Sequence, residues 1–100
     1  MAIRHVVMLR RLPGVSAEEA SDLTGRLDAL GSQVAGLSQW RLVANEHDRP
    51  LCWDHLLDAE LEDADALAAY LGHPAHQALL PDLRAHFELA VVDYDVGSPS

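Results

Sequence analysis

Leu51-Cys52-Trp53-Asp54-His55-Leu56-Leu57-Asp58-Ala59-Glu60-Leu61 is the stretch on which the fold turns. Trp53, His55, Leu57, Ala59 and Leu61 alternate with Asp54, Asp58 and Glu60. That two-residue period predicts a strand over 51–61 with one dry face and one polar face. Upstream, beyond the polar loop Glu46–Pro50, the segment Leu37–Asn45 reads as a neighbouring strand. Downstream, a helix is expected from Asp63 to Leu71, stopping at Gly72. Pro74 suits the first turn of a third helix, where its missing N–H is not needed, and Pro81 is expected to kink or divide that helix. Glu88–Val96 reads as the last strand, and Gly97–Ser100 as a frayed, disordered tail.

The first half repeats the plan. Ala2–Arg10 is β-branched and apolar and runs into the turn residues Pro13-Gly14. Ile3, His5, Val7 and Leu9 share one face, with Val6 and Met8 on the other. Ser16 precedes Glu19 by the capping-box spacing, and Ala20, Leu23, Leu27, Leu30 and Val34 then recur at helical spacing. Strand-helix-strand occurs twice, which predicts an α+β ferredoxin-like βαββαβ subunit: a four-stranded antiparallel sheet with helices on one face. Val6, Met8, Leu56 and part of the last strand are then left uncovered. The simplest cover is a second copy packed sheet to sheet, a homodimer. Asp54, Asp58 and Glu60 must stay near solvent or pair with arginines.

One hundred residues, 49% of them apolar, allow one core and not two. Sixteen acids face seven arginines and no lysine, a net charge of −9 that argues against nucleic-acid binding. The acids crowd between Asp54 and Asp65, a solvated face. Ile3–Leu9 is too short and too polar for a membrane span or signal sequence. Cys52 stands alone, so no intramolecular disulfide forms, and a cytoplasmic location is expected.

The histidines are the chemically suggestive residues. His5 lies mid-strand among Ile3, Val7 and Leu9, and His55 lies on the dry face of a second strand. His76 shares a helical stripe with Leu79, Leu80 and Leu83. All three are expected to point between sheet and helices, within reach of Tyr70. A buried imidazole costs several kcal/mol unless hydrogen-bonded. Two readings follow: a satisfied structural network, or a functional pocket. His73 precedes Pro74 and is expected to cap the next helix. His47 and His86 read as loop and helix-surface residues. His73 and His76, three apart and without a nearby carboxylate, do not make a zinc pair, and no metal site is expected.

Arg4-His5-Val6-Val7-Met8-Leu9, Trp53-Asp54-His55, Tyr70-x-x-His73-Pro74-Ala75-His76-Gln77 and Val91-Val92-Asp93-Tyr94 together closely resemble the stress-responsive A/B barrel (Dabb) domain. The likeness spans residues 2 to 96 and places one such domain over 1–96. It implies a subunit that forms a dimeric α+β barrel. Its best-understood relatives are plant polyketide cyclases of the olivetolic acid cyclase type, which implies catalytic positions at His5, Tyr70 and His76. His55, Trp53, Val7, Leu27 and Leu79 are the implied substrate-binding residues. The cyclases' first-helix tyrosine is absent: Arg26 and Leu27 stand there, so substrate and reaction can differ. The implied activity is a cofactor-independent cyclase or lyase of aldol type acting on a small aromatic or polyketide-like molecule. The alternative is a non-catalytic stress-responsive or ligand-binding dimer with a structural histidine network. The Dabb pattern fits better than that of the related haem-degrading or quinone-oxidising barrels.

Overall fold

The computed structural model describes residues 1–97, so the expected tail lies, from Ser98 onward, outside the described residues. The elements run β1 (Ile3–Arg11), α1 (Ala17–Leu30), a 3₁₀ turn (Gly31–Gln33), β2 (Leu37–Ala44), β3 (His55–Leu61), α2 (Ala64–Leu71), α3 (Pro74–His86) and β4 (Phe87–Asp95). The four strands form one sheet in the order β2-β3-β1-β4, every neighbouring pair antiparallel. β3 is thus inserted between β1 and β2, and β1 between β3 and β4, the split βαβ arrangement of a ferredoxin-like fold. The molecule is only 17 Å thick along its shortest axis, the depth of one sheet under one layer of helices.

Local chemistry sets the element ends. Ser16 and Glu19 complete a reciprocal capping box at the start of α1. α1 stops at Leu30, short of Val34, and tightens into the 3₁₀ turn Gly31–Gln33, where Gly31 lies against the Trp40 indole. A Cβ on Gly31 would lie 2.6 Å from three of its ring atoms. Asp63 caps α2 through Ala66 N–H at 2.8 Å. Of the kink or division expected at Pro81, the division does not occur: α3 runs continuously from Pro74 to His86. Its buried stripe of His76, Leu79 and Leu83 holds the helix to the sheet across the lost hydrogen bond.

Leu9, Leu57 and Leu61 are fully buried on the helix-covered face, where Leu23, Leu27, Leu30, Leu79, Leu83 and Phe87 close the core. The opposite face presents Met8, Val43 and Val92, all substantially exposed. Its acids are paired as expected: Arg4 Nε lies 3.3 Å from Asp58 Oδ1 and Arg4 Nη1 3.4 Å from Glu60 Oε1. Among the described residues, no helix is long and apolar enough to cross a membrane.

The strand expected over 51–61 begins only at His55. Cys52 N–H turns back to the Arg49 carbonyl at 3.0 Å, so the chain reaches the sheet only at Asp54, whose N–H donates to the Leu9 carbonyl at 2.9 Å and whose carboxylate accepts the Arg11 N–H at 2.7 Å. Trp53 swings outward under the Arg10 guanidinium, 4.3 Å from its ring centre.

Candidate active site

Three elements bring one histidine or tyrosine each to a cavity of about 400 Å³ between sheet and helices. β1 supplies His5, only 3% exposed. In the β1–β4 ladder His5 sits opposite Asp93, and directly opposed residues share a face. His5 Nδ1 accordingly lies 2.5 Å from Asp93 Oδ1. A carboxylate only accepts, so Nδ1 carries the proton and Nε2 is the nitrogen left for other chemistry.

Tyr70 closes α2 and is 2% exposed. Its ring stands between the two histidines, 5.6 Å from the His5 ring and 4.6 Å from that of His76, with Trp40 edge-on at 5.8 Å. Burial pushes the phenol up to about 12, so Tyr70 is a proton-bearing donor at any ordinary pH. Among the described residues none hydrogen-bonds its hydroxyl.

The junction between α2 and α3 sets His76. Helix C-termini leave carbonyls without intrahelical partners. Here the Leu71 carbonyl receives His76 Nδ1 at 2.9 Å and Gln77 Nε2 at 2.6 Å. His73 caps α3 as expected, its Nδ1 accepting the Ala75 N–H at 3.1 Å. Because a carbonyl cannot donate, His76 carries its proton on Nδ1 and presents a lone pair at Nε2. Burial holds His76 below the ordinary imidazole range, helped by the charges of His5, Arg84 and His73 and opposed by the Leu71 carbonyl. A neutral imidazole with a fixed tautomer, beside an un-ionised phenol, is an acid–base pair.

Val7 and Leu27 line this cavity with His5, Tyr70 and His76. Leu79 does not: it is buried in the core, and Leu80, one position on, faces the cavity instead. His55 and Trp53 lie elsewhere. His55 pairs with Leu9, four register positions along β1 from His5, roughly 13 Å away at the rise of a strand. There its ring meets Phe87 edge-on, its Nδ1 has no hydrogen-bond partner, and burial pushes it down. Antiparallel pairing puts two same-face residues near opposite strand starts at opposite ends of the sheet. His55 and Trp53 instead line a wider cleft of about 560 Å³ beneath the 45–53 loop, with Met8, Val43 and Leu56. That cleft is larger, but it holds no buried acid–base pair. Asp93 was the residue missed. The signal was its parity: it shares the inward face of β4 with Leu89 and Val91, where a carboxylate needs a reason.

Compared with known proteins, residues 3–96 match the family model for the stress responsive A/B barrel domain. The chain is a Dabb-family protein. An uncharacterized protein of Streptomyces coelicolor is 38% identical over 95 residues, 93% of this chain and 98% of that protein. Among solved structures, a dimeric ferredoxin-like protein of unknown function from Thermobifida fusca superposes with a TM-score of 0.86 at 23% identity. The match covers 96% of this chain and 92% of that one. A hydroxynitrile lyase from Passiflora edulis has a TM-score of 0.82 at 14% identity, over 98% and 97% of the two chains. At those identities the structural likenesses speak for the fold.

Proposed function

We propose that this Dabb protein is a homodimeric, cofactor-independent cyclase or lyase of aldol type, acting on a small carbonyl compound, polyketide-like, in the cytoplasm. The observation behind this is the setting of His76: a cavity-lining ring beside Tyr70 whose Nδ1 is tied to the Leu71 carbonyl, which leaves Nε2 for chemistry. His76 Nε2 removes the acidic proton between two carbonyls, and the Tyr70 hydroxyl donates to the developing enolate oxygen. His5, oriented by its contact with Asp93, holds the substrate at the acceptor carbonyl. The enolate carbon bonds to that carbonyl carbon and closes the ring, the alkoxide takes up the proton held by His76, and loss of water with enolisation of the remaining ketones makes the ring aromatic. Val7 and Leu27 give the apolar wall; His55 and Trp53 are left out of this site. The uncovered sheet face, with Met8, Val43 and Val92, supports the dimer, as do neighbours described as dimeric.

A linear triketo ester tests the reading. The carbon between its ester and first ketone attacks the last ketone, and the aromatic product is followed by absorbance. His76→Ala should slow closure on the order of a hundred- to ten-thousand-fold with the dimer intact. Equal rates for the variant and the native protein would remove His76 from the mechanism. A non-catalytic ligand-binding dimer has one observation in its favour: His5 and His76 each already have a hydrogen-bond partner inside the protein. On that reading, substituting both histidines lowers the melting temperature steeply, since Asp93 loses its partner and the Leu71 carbonyl keeps only Gln77.

A further inference from the structure

One charged group at the cavity is not used by the acid–base chemistry. Arg84 follows His76 by eight residues, so 76, 80 and 84 form one row along α3, and all three line the cavity. Their outer Cα atoms are about 12 Å apart along the axis. A long helical side chain leans back over the preceding turn, which brings the guanidinium toward His76. The Arg84 charge is close enough to act on the His76 ring.

Arginine is scarce in this chain and acid abundant, yet Arg84 is left without an acid. Arg4 takes Asp58 and Glu60, Arg10 takes Glu88, and Arg26 takes Asp82, only two positions from Arg84. Among the described residues Arg84 has no ion pair or hydrogen bond. Arg11, Arg41 and Arg49 also lack an ion pair, but none of them lines this cavity. The one carboxylate that does, Asp93, is engaged by His5. The unbalanced charge at the cavity is therefore positive, and the wall beside it is apolar: Leu80, Leu83, Leu89 and Val91.

We infer that Arg84 is a substrate-recognition residue that binds the carboxylate of an amphipathic acid. The acid's apolar part lies along Leu80, Leu83 and Val91, and its reacting carbon meets His76. A single guanidinium, with Asp93 across the cavity, suits a monoanion better than a phosphate dianion. The inference rests on the cavity being a small-molecule site, and the test separates the two. The probes are 4-butylbenzoate and its neutral counterpart 4-butylbenzamide, titrated calorimetrically into the full chain near neutral pH. The acid should bind about ten-fold tighter than the amide, the scale of one charge-assisted hydrogen bond. Arg84→Gln should bring the two within about two-fold by weakening the acid alone, and Arg84→Lys should keep part of the preference. Equal binding of acid and amide to the native protein overturns the role of Arg84 and leaves the cavity reading standing. So does an equal loss of both in Arg84→Gln. If neither probe binds at millimolar concentration, the cavity reading falls as well.

Discussion

Tyr70→Phe deletes one oxygen atom and should raise stability while lowering activity. The ring of Tyr70 is 2% exposed and packed among His5, His76 and Trp40, and phenylalanine keeps those contacts. What is lost is a hydroxyl with no partner among the described residues. An unpaired buried polar group costs about 1–3 kcal/mol. Because this hydroxyl adjoins a cavity that water can enter, the low end applies, and Tyr70→Phe should gain about 1 kcal/mol. In a domain of this size that is a rise in melting temperature of roughly 4–8 °C. Tyr70→Ala, which empties the ring's space, should instead lose about 3–5 kcal/mol. Calorimetry and urea unfolding at one fixed protomer concentration measure both, since a dimer's apparent stability moves with concentration. Over the same substitution, ring closure should slow by about a hundred- to a thousand-fold if the hydroxyl steadies the enolate. A Tyr70→Phe protein less stable than the native one by a kcal/mol or more would mean that the hydroxyl is tied into a protein network. The structural reading of the histidines would then take precedence.

Four further outcomes are expected. Asp93→Asn should lower kcat for ring closure by roughly ten- to a hundred-fold with little change in KM, because His5 loses its charged partner but not its place; steady-state kinetics on the triketo ester decide it. Val92→Asp puts a charge on the exposed sheet face and should turn the proposed dimer into a monomer by analytical ultracentrifugation; an unchanged mass would move the interface elsewhere. Gly31→Ala drives a methyl against the Trp40 indole and should cost about 1–3 kcal/mol in urea unfolding. Acidification should destabilise the fold from about pH 6.5 downward: His55 and His76 are both held below their unfolded range, so below it the unfolded chain binds more protons. Their contribution is therefore present above the unfolded value and is lost as pH falls through the folded one. Unfolding curves at neutral and mildly acidic pH should show that loss, and it should shrink in His55→Gln.

The topology was legible because two periods, two and three-and-a-half residues, switch cleanly along the chain at Gly and Pro. The capping box at Ser16 and the His73-Pro74 break were readable for the same reason: their chemistry is local. Long-range register was less so. His55 has the right parity for the helix-covered face, but nothing in its own neighbourhood says that antiparallel pairing sets it against Leu9 and not near His5. The two-residue period carries Trp53 onto the strand, but Cys52 N–H bonds back to the Arg49 carbonyl and Trp53 packs under Arg10, contacts that the alternation of 51–61 does not show. Asp93 shows the converse. Its parity was visible, but only the β1–β4 ladder reveals that it opposes a histidine. Leu79 was exchanged for Leu80 because a helical stripe fixes a side of the helix, not which edge of that side borders a cavity.

The site and the uncovered face are built from the same two strands. His5 and Asp93 point inward from β1 and β4, while Val6 and Val92, the next opposed pair, point outward. With a strict two-residue period, shifting either strand by one residue would exchange the faces and destroy both. β4 is an edge strand, hydrogen-bonded on one side only, and near the cavity its inner face is thinly covered: Val91 is 54% exposed. The His5–Asp93 pair thus stands on the least supported part of the sheet. A second copy packed against Val92 and Met8 would back that ladder from behind. The helices position Tyr70 and His76, and the partner would steady the strands that hold His5 and Asp93. On the proposed dimer the partner would thus support the site through the sheet, from the face opposite the cavity.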